Sequence, residues 1–375
     1  MLSHTADSQW ASALAPSHVR GLDVYQPGKP VEELERELGI TGALKVASNE
    51  NPLGPSPRAA AAITAALPSL HLYPDAGGFA LRRALAQTWH CDIEELVLGA
   101  GSNELLYQLV LATCEPTDEV LSHQFGFLSY RLSAQVAGRP FVAAPATAAL
   151  GCDVDALIAA FTPRTKLVVL GTPNNPTGSI LTQAQLARVL AALPARALLV
   201  VDEAYAEYAD AWPEIDHASG IAAMQQDPRV LVLRTFSKIY GLAGLRVGYA
   251  IANRAVADLL GRVTRTFNVG TLAQVAAIAA LGDTAHIAAS AALARKGIEQ
   301  LRATQLGQAR VLPSLGNFAL IDCGRPSTPL YEQLLRKGVI VRPMAAWGLP
   351  NYLRVSVAAT ADMPRVIEAL ASVFA

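Results

Sequence analysis

Lys238 sits in Thr235-Phe236-Ser237-Lys238, directly after the apolar run at residues 229–233. Schiff-base chemistry needs an amine kept among small and apolar neighbours. Alone, a lysine at the end of a strand is more often a solvated surface charge. Asp202 closes a second apolar run, residues 197–201. A carboxylate there is either a cap for the next helix or the partner of a ring nitrogen that must stay protonated. Lysine plus aspartate is the pattern that pyridoxal phosphate requires. Asn174-Asn175-Pro176-Thr177-Gly178 offers amide donors for a phenolic oxygen, or is simply a turn. Gly99-Ala100-Gly101-Ser102-Asn103 opens a helix-like segment. Free N–H groups at a helix start bind phosphate, and Arg246, in Gly244-Leu245-Arg246-Val247-Gly248, adds a forked charged donor.

These residues must be positioned by their elements. From about residue 95 the chain alternates short apolar runs with segments of helical spacing. Strands are expected near 95–98, 166–170, 197–201, 229–233 and 247–251, and helices over 103–113 and 182–193, with Thr182 as a cap. Continuous apolar strands separated by helices predict an α/β fold with a parallel or mostly parallel sheet covered on both faces. In such sheets the ligand crevice lies beyond the carboxyl ends of the strands. The polar clusters at 102–104, 174–175, 202–205 and 237–238 are therefore expected to converge. The C-terminal third, with a long helix over 283–304 and strands near 317–322, 338–342 and 352–357, predicts a smaller α+β domain. The expected division is an N-terminal arm joined to the small domain (1–45), a large domain (46–270) and a small C-terminal domain (271–375).

Composition narrows the function classes. The 375 residues carry 30 basic and 31 acidic side chains, a net charge of −1, with 52% hydrophobic and 16% charged residues. That excludes a solvating disordered chain and shows no basic excess for nucleic acid or an anionic membrane. The four cysteines have neither C-x-x-C nor zinc-finger spacing, so no metal is expected. The first ten residues lack a basic and apolar leader, and the apolar runs are too short to span a bilayer. A soluble cytoplasmic protein is expected.

Taken in order, these motifs resemble the class I/II aminotransferases, the fold-type I pyridoxal-phosphate enzymes, over nearly the whole chain. The resemblance implies a large, mostly parallel seven-stranded sheet domain, a smaller α+β domain and pyridoxal 5′-phosphate as cofactor. It implies that Lys238 carries the Schiff base, that Asp202 pairs with the pyridine nitrogen, and that Asn175 and Tyr205 contact the phenolic oxygen. Ser102, Asn103, Ser237 and Arg246 would surround the phosphate, and Phe125 would stack on the ring. Phe125, Asn103 and Gly270 stand where the family often has Tyr, Asp and Asn.

Within that group, five segments resemble the histidinol-phosphate aminotransferase family: residues 18–30, Ala47-Ser48-Asn49-Glu50-Asn51-Pro52-Leu53-Gly54, and residues 235–249, 338–343 and 353–357. This implies ping-pong transamination between histidinol phosphate and 2-oxoglutarate. Arg354 would bind the carboxylate of the glutamate/2-oxoglutarate pair. Tyr25 and Arg342 would bind the phosphate, with Asn49 also on the substrate. Tyr73 would reach the cofactor phosphate of a neighbouring subunit in a homodimer. Two other readings share the cofactor residues: an aminotransferase for aromatic or specialised amines, and a decarboxylase of the threonine-phosphate type.

Overall fold

The computed structural model describes residues 10, 12–22 and 28–375. A two-residue strand, β1 (Leu44–Lys45), leads into the main sheet. That sheet has seven strands: β2 (Leu96–Gly99), β3 (Glu119–His123), β4 (Phe141–Ala144), β5 (Thr165–Gly171), β6 (Leu198–Asp202), β7 (Val230–Thr235) and β8 (Gly248–Ala252). Their spatial order is β2-β8-β7-β6-β5-β3-β4. The neighbours from β7 to β4 pair in parallel, whereas β8 runs antiparallel to both β2 and β7.

The central strands are apolar on both faces because both faces are covered. Successive side chains of a strand point to opposite faces. Leu167 and Val169 join one apolar cluster with Leu105 and Leu109 of the helix Ser102–Thr113. Val168 and Leu170 join another, with Leu186 and Val189 of the helix Gln183–Ala192. Thr182 caps that second helix as expected, accepting a hydrogen bond from the Gln185 backbone N–H. Strands β3 and β4 carry no clear sequence signal. Ser122 and His123 interrupt β3, and both are buried all the same.

A four-stranded antiparallel sheet forms the second layer, ordered β12-β13-β10-β9 from β9 (Arg310–Val311), β10 (Phe318–Asp322), β12 (Arg342–Pro343) and β13 (Tyr352–Ser356). Between them β11 (Val339–Ile340) pairs in parallel with β1, tying Leu44 and Lys45 to the C-terminal third. The helix Thr271–Leu281 packs against Pro57–Ala66 and belongs to the core of the large sheet. The next helix, Thr284–Ala303, spans both cores. Ala291 and Ala294 face the large one, Ile298 and Leu301 the small one. No single helix among the described residues is long and apolar enough to cross a membrane.

Candidate active site

The direction of β8 assembles the site. Strands β5, β6 and β7 end at Gly171, Asp202 and Thr235, all on one edge of the sheet. Because β8 is antiparallel, it begins on that same edge. The loop between β7 and β8, carrying Ser237, Lys238 and Arg246, therefore stays over the carboxyl ends of the parallel strands. A cavity of about 250 Å³ opens there. Ser102, Asn103, Asn175, Asp202, Tyr205, Ser237, Lys238 and Arg246 all line it, so the four polar clusters converge. Asn49, Arg342 and Arg354 stand on its other wall.

Two expected residues lie elsewhere, and a third is not among those described. Phe125 is not on the cavity wall. Its ring packs with Trp347, Met344, Leu320 and Leu349, and its carbonyl accepts a hydrogen bond from Asn174 Nδ2. The aromatic that lines the cavity is Phe127, two residues on. Tyr73 is away from this cavity, 82% exposed, with its ring stacked on Phe267. Tyr25 lies outside the described residues.

The floor is electrostatically specific. Asp202 is buried, and burial pushes its carboxyl up to about 6. Bonds from Tyr130 and the Ala204 N–H, and the charge of Lys238, hold it down; the charge of Glu203 pushes it further up. Lys238 Nζ donates to the Ser48 carbonyl at 3.2 Å and lies 5.6 Å from the centre of the Tyr205 ring. The Tyr205 hydroxyl accepts from Asn49 Nδ2 at 2.9 Å, and the Asn49 Oδ1 in turn accepts from Ser356 Oγ at 2.8 Å. Sequence spacing gave no hint of this chain, nor of Tyr130 and Trp347, which also line the cavity.

One end of the cavity fits a phosphate. The helix Ser102–Thr113 starts there, and its N-cap, Gly101, has no side chain to cap the first N–H groups. Arg246 Nη1 donates to Ser237 Oγ at 3.0 Å, which brings a cation and a hydroxyl together. Backbone room is kept by glycine. A Cβ on Gly101 would lie 2.3 Å from Arg246 Nη2, and one on Gly248 would lie 2.4 Å from the Ser102 nitrogen. Phosphate cradle, ring-sized slot with a buried carboxylate, and a lysine amine form a donor set that fits pyridoxal 5′-phosphate. No cluster of metal ligands occurs among the described residues.

The opposite wall is cationic. Arg354 is buried on β13, donating to the Ala47 carbonyl and to Asn175 Oδ1, each at 2.5 Å. Arg342 on β12 is its direct cross-strand neighbour. Arg342 lies 5.6 Å over the Trp347 ring and Arg354 lies 5.4 Å over that of Phe318.

A seven-stranded, mostly parallel sheet with a lysine and an aspartate at its carboxyl edge, roofed by a small antiparallel domain, defines a fold-type I transferase. The family described as aminotransferase class I and II matches residues 41–372, and the chain belongs to it. It is 46% identical to a histidinol-phosphate aminotransferase of Anaeromyxobacter sp. (strain Fw109-5), over 95% of this chain and 98% of that protein. It is 45% identical to histidinol-phosphate aminotransferase 1 of Nitrosococcus oceani, over 96% of each. The crystal structure of the histidinol-phosphate aminotransferase of Sinorhizobium meliloti, in complex with pyridoxal-5′-phosphate, superposes with a TM-score of 0.85 at 29% identity, covering 96% of this chain and 97% of that one.

Proposed function

We propose that this aminotransferase uses pyridoxal 5′-phosphate to move an amino group between histidinol phosphate and 2-oxoglutarate in histidine biosynthesis. The observation that carries the substrate reading is the arginine pair on β12 and β13. Like charges directly opposite on neighbouring strands repel, so two guanidinium groups in register at a cavity wall suit a strongly anionic ligand. A dicarboxylate and a phosphorylated amine are both ligands of that kind. The two relatives named above, alike over nearly their whole length, point to this pair of substrates.

When bound, the cofactor supplies an electron sink for the pair released at the substrate α-carbon. Asp202 would hold the proton on its ring nitrogen. Tyr205, fixed by Asn49, and Asn175, fixed by Arg354, would hold its phenolic oxygen. Ser102, Asn103, Ser237 and Arg246 would hold its phosphate, and Phe127 would cover its ring. Lys238 is the only amine among the described lining side chains, and its Nζ would carry the proton between the substrate α-carbon and the cofactor carbon C4′. Arg354 forks onto the carboxylate of the glutamate/2-oxoglutarate pair. Arg342 would meet the phosphate of the other substrate, with Tyr25.

We infer further that the working unit is a cytoplasmic homodimer in which Tyr73 serves the neighbouring cofactor phosphate. Its exposed ring, with exposed Leu70, Leu72, Phe79 and Phe267, supports such an interface. The four free cysteines fit a reducing compartment.

The donor is tested by titrating the cofactor-loaded protein without 2-oxo acid and following its visible absorbance. Histidinol phosphate is expected to discharge the band at concentrations at least about tenfold below those of phenylalanine or tyrosine, a difference of roughly 1.4 kcal/mol. Discharge by glutamate and the aromatics but not by histidinol phosphate would overturn the donor and keep the transaminase. Lys238→Ala should lower turnover by at least about 10²-fold; wild-type turnover in that variant would remove Lys238 from the mechanism.

A further inference from the structure

Tyr130 is fully buried on the helix Leu128–Val136, and its hydroxyl donates to Asp202 Oδ2 at 2.9 Å. The Ala204 backbone N–H donates to Asp202 Oδ1 at 3.1 Å. Each oxygen of the carboxylate thus has its own donor, one from a rigid helix and one from the turn after β6. Two fixed donors set the plane of the carboxylate. The hydroxyl reaches Asp202 by crossing the end of β5. A Cβ on Gly171 would lie 2.9 Å from it, so glycine leaves the passage open. The Tyr130 ring is held edge-on against Phe127, with centroids 5.8 Å apart.

We propose that Tyr130 is a positioning residue of the amino-transfer reaction: its hydroxyl orients the Asp202 carboxylate and stabilises its negative charge, so that a fixed anion meets the cofactor ring nitrogen. This rests on the transaminase reading above. Asp202 is surrounded by Tyr130 from its helix, by Glu203 and Tyr205 from the turn that follows β6, and by Lys238 from the loop after β7. Only Tyr130 and Lys238 among these side chains favour the anion. Removing the hydroxyl leaves one buried carboxylate oxygen without its donor, and a hydrogen bond to a charged group is worth about 10- to 100-fold in an equilibrium. The Asp202 carboxyl then protonates at higher pH, and a neutral acid is a poor partner for a protonated ring.

Tyr130→Phe keeps the ring and deletes the hydroxyl. In the cofactor-loaded protein kcat is expected to fall about 10- to 100-fold, with little change in KM for the donor and with the acid limb of the kcat profile moved to higher pH. Affinity of the cofactor-stripped protein for pyridoxal phosphate, read by quenching of its fluorescence, should weaken as well. Gly171→Ala, which crowds the hydroxyl while leaving the tyrosine, should move the acid limb in the same direction. In an Asp202→Asn background, Tyr130→Phe should add nothing to the loss of cofactor affinity. An unmoved pH profile and unchanged affinity in Tyr130→Phe would overturn the proposal. If that variant does not fold, an unmoved limb in Gly171→Ala overturns it. Wild-type protein that neither binds pyridoxal phosphate nor transfers an amino group would instead sink the transaminase reading, and the two failures are told apart by that control.

Discussion

His123 ends β3 behind the cavity, and it is buried with Nδ1 lacking a hydrogen-bond partner. Burial pulls the imidazole down to about 4, with the Asn174 side chain opposing the shift. An unfolded histidine takes its proton near pH 6.5. Below that pH the unfolded chain binds a proton that the folded chain refuses. The contribution of His123 is therefore complete above pH 6.5 and is lost as pH falls toward 4. Between pH 7.5 and pH 5 the loss is about 2 kcal/mol. Urea unfolding of wild type and His123→Gln at both pH values measures it. The variant should lose less stability on acidification, and a parallel loss in the two proteins would contradict the assignment.

At the scale of elements, the phosphate end depends on two backbones coming close without side chains between them. Gly101 caps the helix Ser102–Thr113 at φ +81°, a region that L side chains rarely adopt. Gly101→Ala would combine that strain with displacement of the Arg246 guanidinium. The expected result is a loss of about 1 kcal/mol of stability from the backbone alone, and at least about tenfold weaker binding of pyridoxal phosphate to the cofactor-free protein. Thermal melts and a fluorescence titration read the two effects separately, and unchanged affinity would show that Arg246 is not part of the cradle. Gly101, Ser102, Asp202 and Lys238 are legible in the sequence because each follows an apolar strand run or opens a helix. Those are local signals. The antiparallel direction of β8, which brings Arg246 to the edge, has no local signal. The same limit explains the aromatic. Phe125 and Phe127 flank Gly126, and only packing decides between them. Phe125 turns away because Met344 and Trp347, more than two hundred residues later, form a pocket for it. Tyr130 was hidden for the same reason, since its partner lies across the sheet.

At the scale of the whole molecule, the question is where one site ends and another begins. Asn49 bonds both Tyr205 of the large sheet and Ser356 of the small one, while β1 pairs with β11, so each chain joins its own two layers around its own cavity. Tyr73 has no place in that cavity, and its ring faces outward beside Phe267. If it serves a second protomer, each site needs Lys238 from one chain and Tyr73 from the other. A Lys238→Ala protomer and a Tyr73→Ala protomer are then each defective as homodimers, yet complementary. In a mixed dimer, the chain with intact Lys238 receives intact Tyr73 from its partner, and the other site carries both defects. Random pairing on co-expression makes about half the dimers mixed, each with one whole site in two, so about a quarter of wild-type activity should return. Were Tyr73 to act within its own chain, no site in the mixture would hold both residues, and activity would stay at the average of the two parents. Co-expression with separately tagged chains, followed by isolation of the mixed dimer, makes the contrast sharper still. One site in two then gives half the wild-type rate if the residue crosses the interface, and only the parental level if it does not.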